Sequence, residues 1–347
     1  MKYENLTVLG VCGAQGALLH PLRKCKIIGN IEPRGVFHSP GEEQWKINFG
    51  DIPFLRSLND LPKCPKVDIL VGSPSCGHSS IFSYSRKKSL GNPKDEATIN
   101  LFCESIRQFN PGIWLMENLP KMLNIIPLTE WEKQYPGYKL LSICHSMADF
   151  GNSQVNRERL VLIGIRKDYK LKPEFFKKIF KVQKIRRVYQ LEKEIRAELN
   201  YRENDSKRVP MYDSRKIKGG VKPKNLTLKE VHWYWNHDYK DEYKWPMPNT
   251  KMNTLPGVYR NRKNGYPMTA RPSSRQFAPS GWNMGLEEYR VIMGFPTTFK
   301  VYMDLSRKEY WLNKGRNTLT KGACYEVGIW FRKCIKNSLE VLKCNTK

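Results

Sequence analysis

The sequence contains no apolar run near the roughly 20 residues that a bilayer-spanning helix needs. Residues 1–5 also lack the charged-then-apolar layout of a signal peptide. The nine cysteines include no Cys-x-x-Cys pair and no regular spacing, which argues against a disulfide framework and against a structural zinc site. We therefore expect a soluble, intracellular protein with reduced thiols, no metal and no membrane partner.

Acidic residues are scarce, since 33 Asp and Glu stand against 60 Lys and Arg and the formal net charge is +27. An excess of this size favours a polyanionic partner, most simply nucleic acid, over a role in solubility alone. Hydrophobic residues make up 40% of the chain and aromatic residues 12%, so disorder of the whole chain is excluded. A length of 347 residues is enough for a large core and suggests two domains.

The first 166 residues alternate short apolar runs with helical patterns. One helical pattern covers residues 96–109, and the patterns of strands cover residues 6–12, 27–31, 67–71, 113–116, 138–145 and 160–165. Strands that alternate with helices predict an α/β fold with a mostly parallel sheet covered on both faces. Helical patterns return late in the chain, at residues 286–293 and 323–335.

The middle of the chain has a different character. Residues 167–280 hold 28 Lys and Arg against 12 Asp and Glu, with aromatic residues between the charges and little periodicity. We predict that they form a smaller, irregular, basic domain. Residues 1–166 and 281–347 would then form one α/β domain.

Two chemically capable side chains follow neighbouring predicted strands. Cys76 lies in a loop of small residues after the strand at 67–71, and Glu117 ends the strand at 113–116. Open α/β sheets bind ligands at the carboxyl ends of their strands, so we expect both side chains at that rim. A thiolate there is a good nucleophile and a carboxyl group can move a proton. A buried structural cysteine and a helix cap near Asn118 are the alternatives.

Other residues predict a site for a nucleotide-like cofactor and an anion. Gly13 and Gly16 follow the first strand, where glycines allow the backbone to approach a cofactor closely. Glu32 ends the second strand, a position from which a carboxylate binds ribose hydroxyls. Arg157 and Arg159 alternate into the strand at 160–165, so both are expected on one face, able to hold a phosphate or a carbonyl oxygen.

The order of these segments resembles that of the DNA cytosine-5 methyltransferases. The glycine motif of that family resembles residues 11–16, its catalytic loop residues 73–80, and its arginine motif residues 156–159. The family's Glu-Asn motif matches Glu117 and Asn118, and its penultimate motif matches residues 286–296. The fold implied is a Rossmann-like methyltransferase domain dependent on S-adenosylmethionine, with residues 167–280 as an inserted target-recognition domain.

The resemblance also implies roles for individual residues. Cys76 would add to C6 of a flipped cytosine, Glu117 would protonate N3, Arg159 would bind O2, and Arg157 would support the loop or a phosphate. S-adenosylmethionine would be held by Val11, Cys12, Gly13, Gly16, Glu32, Pro33, Asp51, Ile52, Pro74, Arg316 and Asn317. Double-stranded DNA would be contacted by Ser80, Arg86, Lys87, Lys88, Arg271 and Arg275. We expect a monomer in the cytoplasm of a bacterial cell or of a phage-infected host.

The chain departs from the family pattern at several positions. The unusual residues are Val11, Ser75, Gly77, Val155 and Arg316, none of which removes a catalytic group. A tRNA cytosine-5 methyltransferase and a non-catalytic DNA-binding relative are alternatives. Because Arg316 could pair with an extra carboxylate on the donor, an enzyme that transfers a modified group is a third.

Overall fold

The computed structural model describes residues 2–13, 15–33, 41–61, 65–75, 93–187, 190–191, 258–260, 275–277, 286–296, 298–301, 319 and 323–344. The strands are β1 (Thr7–Val11), β2 (Lys26–Ile31), β3 (Phe54–Leu55), β4 (Ile69–Gly72), β5 (Ile113–Asn118), β6 (Tyr138–Ser146), β7 (Glu158–Arg166), β8 (Val258–Arg260) and β9 (Arg275–Phe277). The α-helices are α1 (Gly41–Phe49), α2 (Pro93–Phe109), α3 (Met122–Ile125), α4 (Leu128–Gln134), α5 (Glu174–Lys177), α6 (Leu286–Ile292) and α7 (Tyr325–Cys344).

Within these described ranges, the main sheet has seven strands in the order β3-β2-β1-β4-β5-β7-β6. The strands from β1 to β5 run parallel to one another, and β7 is antiparallel to both β5 and β6. The predicted α/β fold with a mostly parallel sheet is confirmed. Each apolar run that predicted a strand coincides with a strand of this sheet to within about two residues.

Both faces of the sheet are buried, as the apolar runs require. Alternation along β1 sends Val8 into the core on one side of the sheet and Leu9 into the core on the other. The long helix α7 packs on the first side, and α2 packs on the second with Trp131 of α4. Fully covered faces explain why the strands read as continuous apolar runs rather than as alternating ones.

One glycine is required by packing between β5 and β7. Gly164 lies opposite Trp114 in the antiparallel register, and a Cβ atom at Gly164 would lie 2.2 Å from the indole ring. A side chain at position 164 would displace Trp114, which is fully buried. The register that places Glu117 opposite Val161 therefore depends on a glycine in β7.

The start of the predicted basic domain packs on the α/β core. Phe176 of α5 contacts Phe331 of α7 with ring centroids 5.8 Å apart, and the Trp330 indole donates a hydrogen bond to the Lys178 carbonyl. The Lys172 amide donates to Ser338 Oγ at 2.7 Å. Residues 167–187 are thus structurally continuous with α7. Later in the predicted basic domain, β8 and β9 pair in parallel.

No helix in the part of the chain that the structure describes is long and apolar enough to cross a membrane.

Candidate active site

The candidate site lies at the carboxyl ends of the central strands. The chain crosses from β2 to β4 on opposite sides of β1, so the topological switch point of the sheet lies beside β1. Ligands of open α/β sheets bind at this point. The loops that follow β1, β2, β4 and β5 meet there, and they carry the glycine motif, Glu32, Ser73 and Glu117.

Glu117 is the buried carboxylate of this rim. Its residue is 3% exposed, at the end of β5. Ser73, the first residue after β4, donates a hydrogen bond from Oγ to Glu117 Oε2 at 2.7 Å. Arg159 Nε lies 2.9 Å from Glu117 Oε1, and the Arg159 side chain is 16% exposed. The prediction that Glu117 and Arg159 share one site is confirmed by this contact.

The two oxygens of Glu117 are held differently. Oε2 accepts a well-formed hydrogen bond, whereas Oε1 accepts no hydrogen bond of good geometry from the described residues, so its contact with Arg159 is an ion pair. A buried carboxylate loses much of its hydration, and unfilled acceptor capacity is costly there. Oε1 is therefore suited to accept a hydrogen bond from a bound ligand.

The backbone that leads to Cys76 is fixed by its neighbours. Asn118 Nδ2 donates to the Pro74 carbonyl at 3.2 Å, and the Ser75 amide donates to Thr98 Oγ1 of α2 at 3.0 Å. Asn118 is thus a loop-holding residue beside Glu117, as its place in the Glu-Asn pair suggested. Cys76 itself and the predicted DNA contacts Ser80, Arg86, Lys87 and Lys88 lie outside the described residues.

Arg157 is far more buried than Arg159. It is 2% exposed, and its Nε donates to Cys324 Sγ at 3.0 Å. Burial raises the pKa of the Cys324 thiol to about 11, so this sulfur is a neutral acceptor. The expectation that both arginines face the rim is wrong for Arg157, because the contact with the entrance to α7 draws it into the core. Of its two predicted roles, support of the loop fits this burial and a phosphate contact does not.

A second buried carboxylate joins the arginine motif to α7 and was not anticipated. Glu326, in the first turn of α7, accepts hydrogen bonds from Asn152 Nδ2 at 3.0 Å and from Gln183 Nε2. Burial raises the pKa of Glu326 to about 7. Gly294 has φ +80° and leaves no room for a Cβ beside Glu326. Nothing in the local pattern of an amphipathic helix marks Glu326 as buried, since only the chain crossing at Gly294 covers it.

The glycine loop after β1 forms a close cradle. The Gly13 amide donates to Asn30 Oδ1 at 3.2 Å, and a Cβ at Gly13 would lie 2.6 Å from the same oxygen. Gly16 has φ +83°, which favours glycine. Val11 and Cys12 are buried beneath the loop, and burial raises the pKa of the Cys12 thiol well above its usual range. This loop places backbone at the switch point with little side-chain bulk.

Two buried polar side chains border that cradle. Glu32 follows β2 and is 2% exposed, and the half-buried Pro33 comes next. Gln15 is 1% exposed, and neither its Oε1 nor its Nε2 has a hydrogen-bond partner in the described parts of the chain. A buried amide with both polar atoms unmet fits a site that receives a polar ligand. The donor set suits the amino-acid and ribose groups of S-adenosylmethionine.

The predicted Asp-Ile motif lies elsewhere. Asp51 and Ile52 precede the amino end of β3, whereas the residues after its carboxyl end are Arg56 and Ser57. The amides of Arg56 and Ser57 both donate to Asp60 Oδ2, at 2.8 and 2.9 Å. The expectation that Asp51 lies on a rim loop is therefore wrong. The match of an Asp-Ile pair hid the fact that β3 begins only after Pro53.

The remaining predicted site residues fall mostly in other parts of the chain. Arg271, Arg316 and Asn317 lie outside the described residues, and Arg275 is described only as backbone in β9. Pro74 is buried at the end of β4 and precedes the catalytic loop. Among the residues with described positions, no cluster of His, Cys, Asp and Glu could hold a metal ion.

The strand order and the carboxylate site at its switch point define an α/β fold of the Rossmann-like methyltransferase class. The chain belongs to the C-5 cytosine-specific DNA methylase family, whose model matches residues 41–311. Enzymes of this family transfer a methyl group from S-adenosylmethionine to C5 of cytosine. No curated protein sequence matches the chain.

Solved structures with the same fold cover almost the whole chain. A structure described as an Escherichia coli prophage-encoded DNA modification methyltransferase is 15% identical, covers 97% of this chain and 100% of its own, and has a TM-score of 0.64. The Entamoeba histolytica methyltransferase EhMeth is 13% identical, with coverages of 96% and 99% and a TM-score of 0.62. The Schizosaccharomyces pombe Dnmt2 methyltransferase is 13% identical, with coverages of 96% and 99% and a TM-score of 0.55.

Proposed function

We propose that this protein methylates C5 of a cytosine flipped out of double-stranded DNA. The observation that carries the proposal is Glu117, a buried carboxylate that Ser73 and Arg159 hold while Oε1 keeps capacity to accept a hydrogen bond. A carboxylate in this state fits the amine and N3 edge of cytosine. The base must leave the stack to reach a site this deep.

Addition to the ring comes first in the proposed reaction. The Cys76 thiolate forms a bond to C6, the C5–C6 electron pair shifts to C4–C5, and N3 receives a proton through Glu117. The guanidinium of Arg159 has five N–H donors, so it can bind O2 while it remains beside Glu117. The enamine that results makes C5 a nucleophile, as an unactivated cytosine is not.

Methyl transfer and elimination complete the reaction. When bound, S-adenosylmethionine supplies an electrophilic methyl group. C5 forms a bond to that methyl, the C5 proton is then lost to a base, and the bond from Cys76 to C6 breaks to restore the ring. The glycine loop, Glu32 and Gln15 are the described residues that would hold the donor.

Duplex DNA is the proposed acceptor because the basic segment is large. The net positive charge of residues 167–280 suits a long polyanion, and we propose that the part beyond residue 187 recognises the target sequence. Parallel assays with duplex DNA and with tRNA separate this acceptor from the alternative. Methylation of tRNA alone would overturn it.

The proposal is tested with a duplex that carries 5-fluorocytosine at its target sites. Fluorine at C5 cannot leave as a cation, so a functional enzyme stays covalently attached through Cys76. We expect a covalent complex for the wild type and none for Cys76→Ser, because a hydroxyl is far less ionised than a thiol. DNA binding by Cys76→Ser should be retained. A wild type that binds DNA and donor without forming the complex would instead be a non-catalytic relative.

The group transferred is tested separately. Mass spectrometry of nucleosides from DNA modified in cells should show 5-methylcytosine as the product. A larger, carboxylate-bearing substituent would support the modified donor for which Arg316 was considered.

A further inference from the structure

We infer that Ser73 is a positioning residue for Glu117, one that keeps the carboxyl group in a single orientation through both of its protonation states. This inference rests on the proposed function. It goes beyond the family match because it assigns a role in proton transfer to the first residue of the loop, three positions before Cys76.

The sheet places Ser73 beside Glu117. Strands β4 and β5 are parallel neighbours, and their register pairs Gly72 with Met116. The next residue of each strand is Ser73 or Glu117, so the two side chains leave adjacent strands at the same height. The Ser73 amide also donates to the Cys12 carbonyl at 3.4 Å, which ties this position to β1 on its other side. The location of Ser73 Oγ is thus set by backbone pairing.

The hydroxyl of Ser73 acts on one defined oxygen. Its proton is donated to Glu117 Oε2 at 2.7 Å, while Arg159 lies against Oε1. The carboxylate is therefore fixed at both oxygens, and Oε1 keeps the capacity to meet a base. Removal of the Ser73 hydroxyl would free rotation about the last torsion of Glu117, since no other described group donates to Oε2.

The same hydroxyl suits the proton movement that the proposed reaction needs. A serine hydroxyl can donate or accept, so it can follow Oε2 through a change of protonation by turning about its own bond. When the proton goes to N3 of cytosine, negative charge returns to Glu117. A donor already aimed at that charge stabilises it without reorganisation. Ser73 thus lowers the barrier to addition of Cys76 at C6.

The experiment measures the rate of covalent complex formation on a 5-fluorocytosine duplex with saturating DNA and donor. We expect Ser73→Ala to lower this rate by about tenfold or more, the scale of one hydrogen bond to a charged group. The KM for DNA and the Kd for S-adenosylmethionine should not change. Ser105→Ala is the matched control, because Ser105 is a fully buried serine whose hydroxyl donates only to the Leu101 carbonyl of its own helix.

A double substitution separates positioning from a general structural effect. If Ser73 acts through Glu117, Ser73→Ala should cost little further rate in the Glu117→Gln background. The inference is overturned if Ser73→Ala and Ser73→Gly both react at the wild-type rate, or if the loss is fully additive with Glu117→Gln. A wild type that forms no complex at all would instead overturn the proposed function.

Discussion

Arg157 Nε donates to Cys324 Sγ at 3.0 Å and so joins the residue before β7 to the residue before α7, across 167 positions of the chain. The contact is buried, and it lies two residues from Arg159 and two from Glu326. It connects the strand that carries the catalytic arginine to the helix that closes the core on that side of the sheet. The positions of Arg159 and α7 are therefore coupled.

This coupling predicts an unequal response to two substitutions. Arg157→Ala empties a large buried volume and should lower the free energy of unfolding by about 3 kcal/mol. Cys324→Ala removes only a weak acceptor and should cost about 1 kcal/mol. Denaturant unfolding measures both. Equal small losses would show that Arg157 is not a structural centre of the molecule.

Glu117→Gln should lower the rate of methyl transfer by about 10²-fold or more, because a positioned proton donor contributes on this scale. The amide keeps the shape of the side chain but cannot deliver the proton, and it weakens the pairing with Arg159. Binding of S-adenosylmethionine, measured by calorimetry, should be nearly unchanged. A collapse of donor affinity with an intact rate at saturating donor would place Glu117 in the donor site instead.

Gln15 should respond to substitution in the opposite sense from an ordinary buried glutamine. Gln15→Leu removes two unmet polar atoms, so it should raise the free energy of unfolding of the donor-free protein by about 1 kcal/mol. Donor binding should weaken by about tenfold, since one or two hydrogen bonds to the donor are removed.

The control for Gln15 is Gln154→Leu. Gln154 is equally buried, but its Nε2 donates to the Ile292 carbonyl at 3.2 Å, so its replacement should destabilise the protein. Destabilisation by Gln15→Leu, with unchanged donor affinity, would contradict a role for Gln15 in the donor site.

His20 should make the folded protein sensitive to acid. Its ring is 3% exposed, with Nδ1 2.7 Å from Tyr325 Oη, and burial together with the nearby Arg23 lowers its pKa to about 4. The unfolded chain binds the proton near pH 6.5, so the stabilisation present above about pH 6.5 is lost as the pH falls towards 4. Unfolding of the wild type and His20→Asn across this range measures the effect. Parallel pH profiles for the two proteins would rule it out.

The basic segment should carry most of the salt dependence of DNA binding. Replacement of Lys or Arg residues within residues 188–280 should reduce the slope of log affinity against log salt by about one for each DNA phosphate that the protein no longer neutralises. The same number of replacements at exposed positions of residues 1–166 provides the control. A larger effect from that control set would assign DNA binding to the α/β domain rather than to the basic segment.

Much of the architecture follows from local patterns. Strands buried on both faces must be continuously apolar, so the runs that form β1, β4 and β5 identify themselves, and the residues that follow them must lie at one rim. The pairing of Glu117 with Arg159 could be anticipated because both follow from strand ends and a known motif order. The position of β3 could not, since a two-residue strand leaves no periodic signal.

The sequence by itself determined the α/β fold, the family and the carboxylate at the end of β5. Only the tertiary structure decided which side chains act together. Ser73 meets Glu117 across 44 positions and Arg157 meets Cys324 across 167, because strand register and the docking of α7 set those distances. Local composition carries no record of such contacts. A serine in a loop and a cysteine before a helix acquire their chemistry from the groups that the fold brings within hydrogen-bond reach.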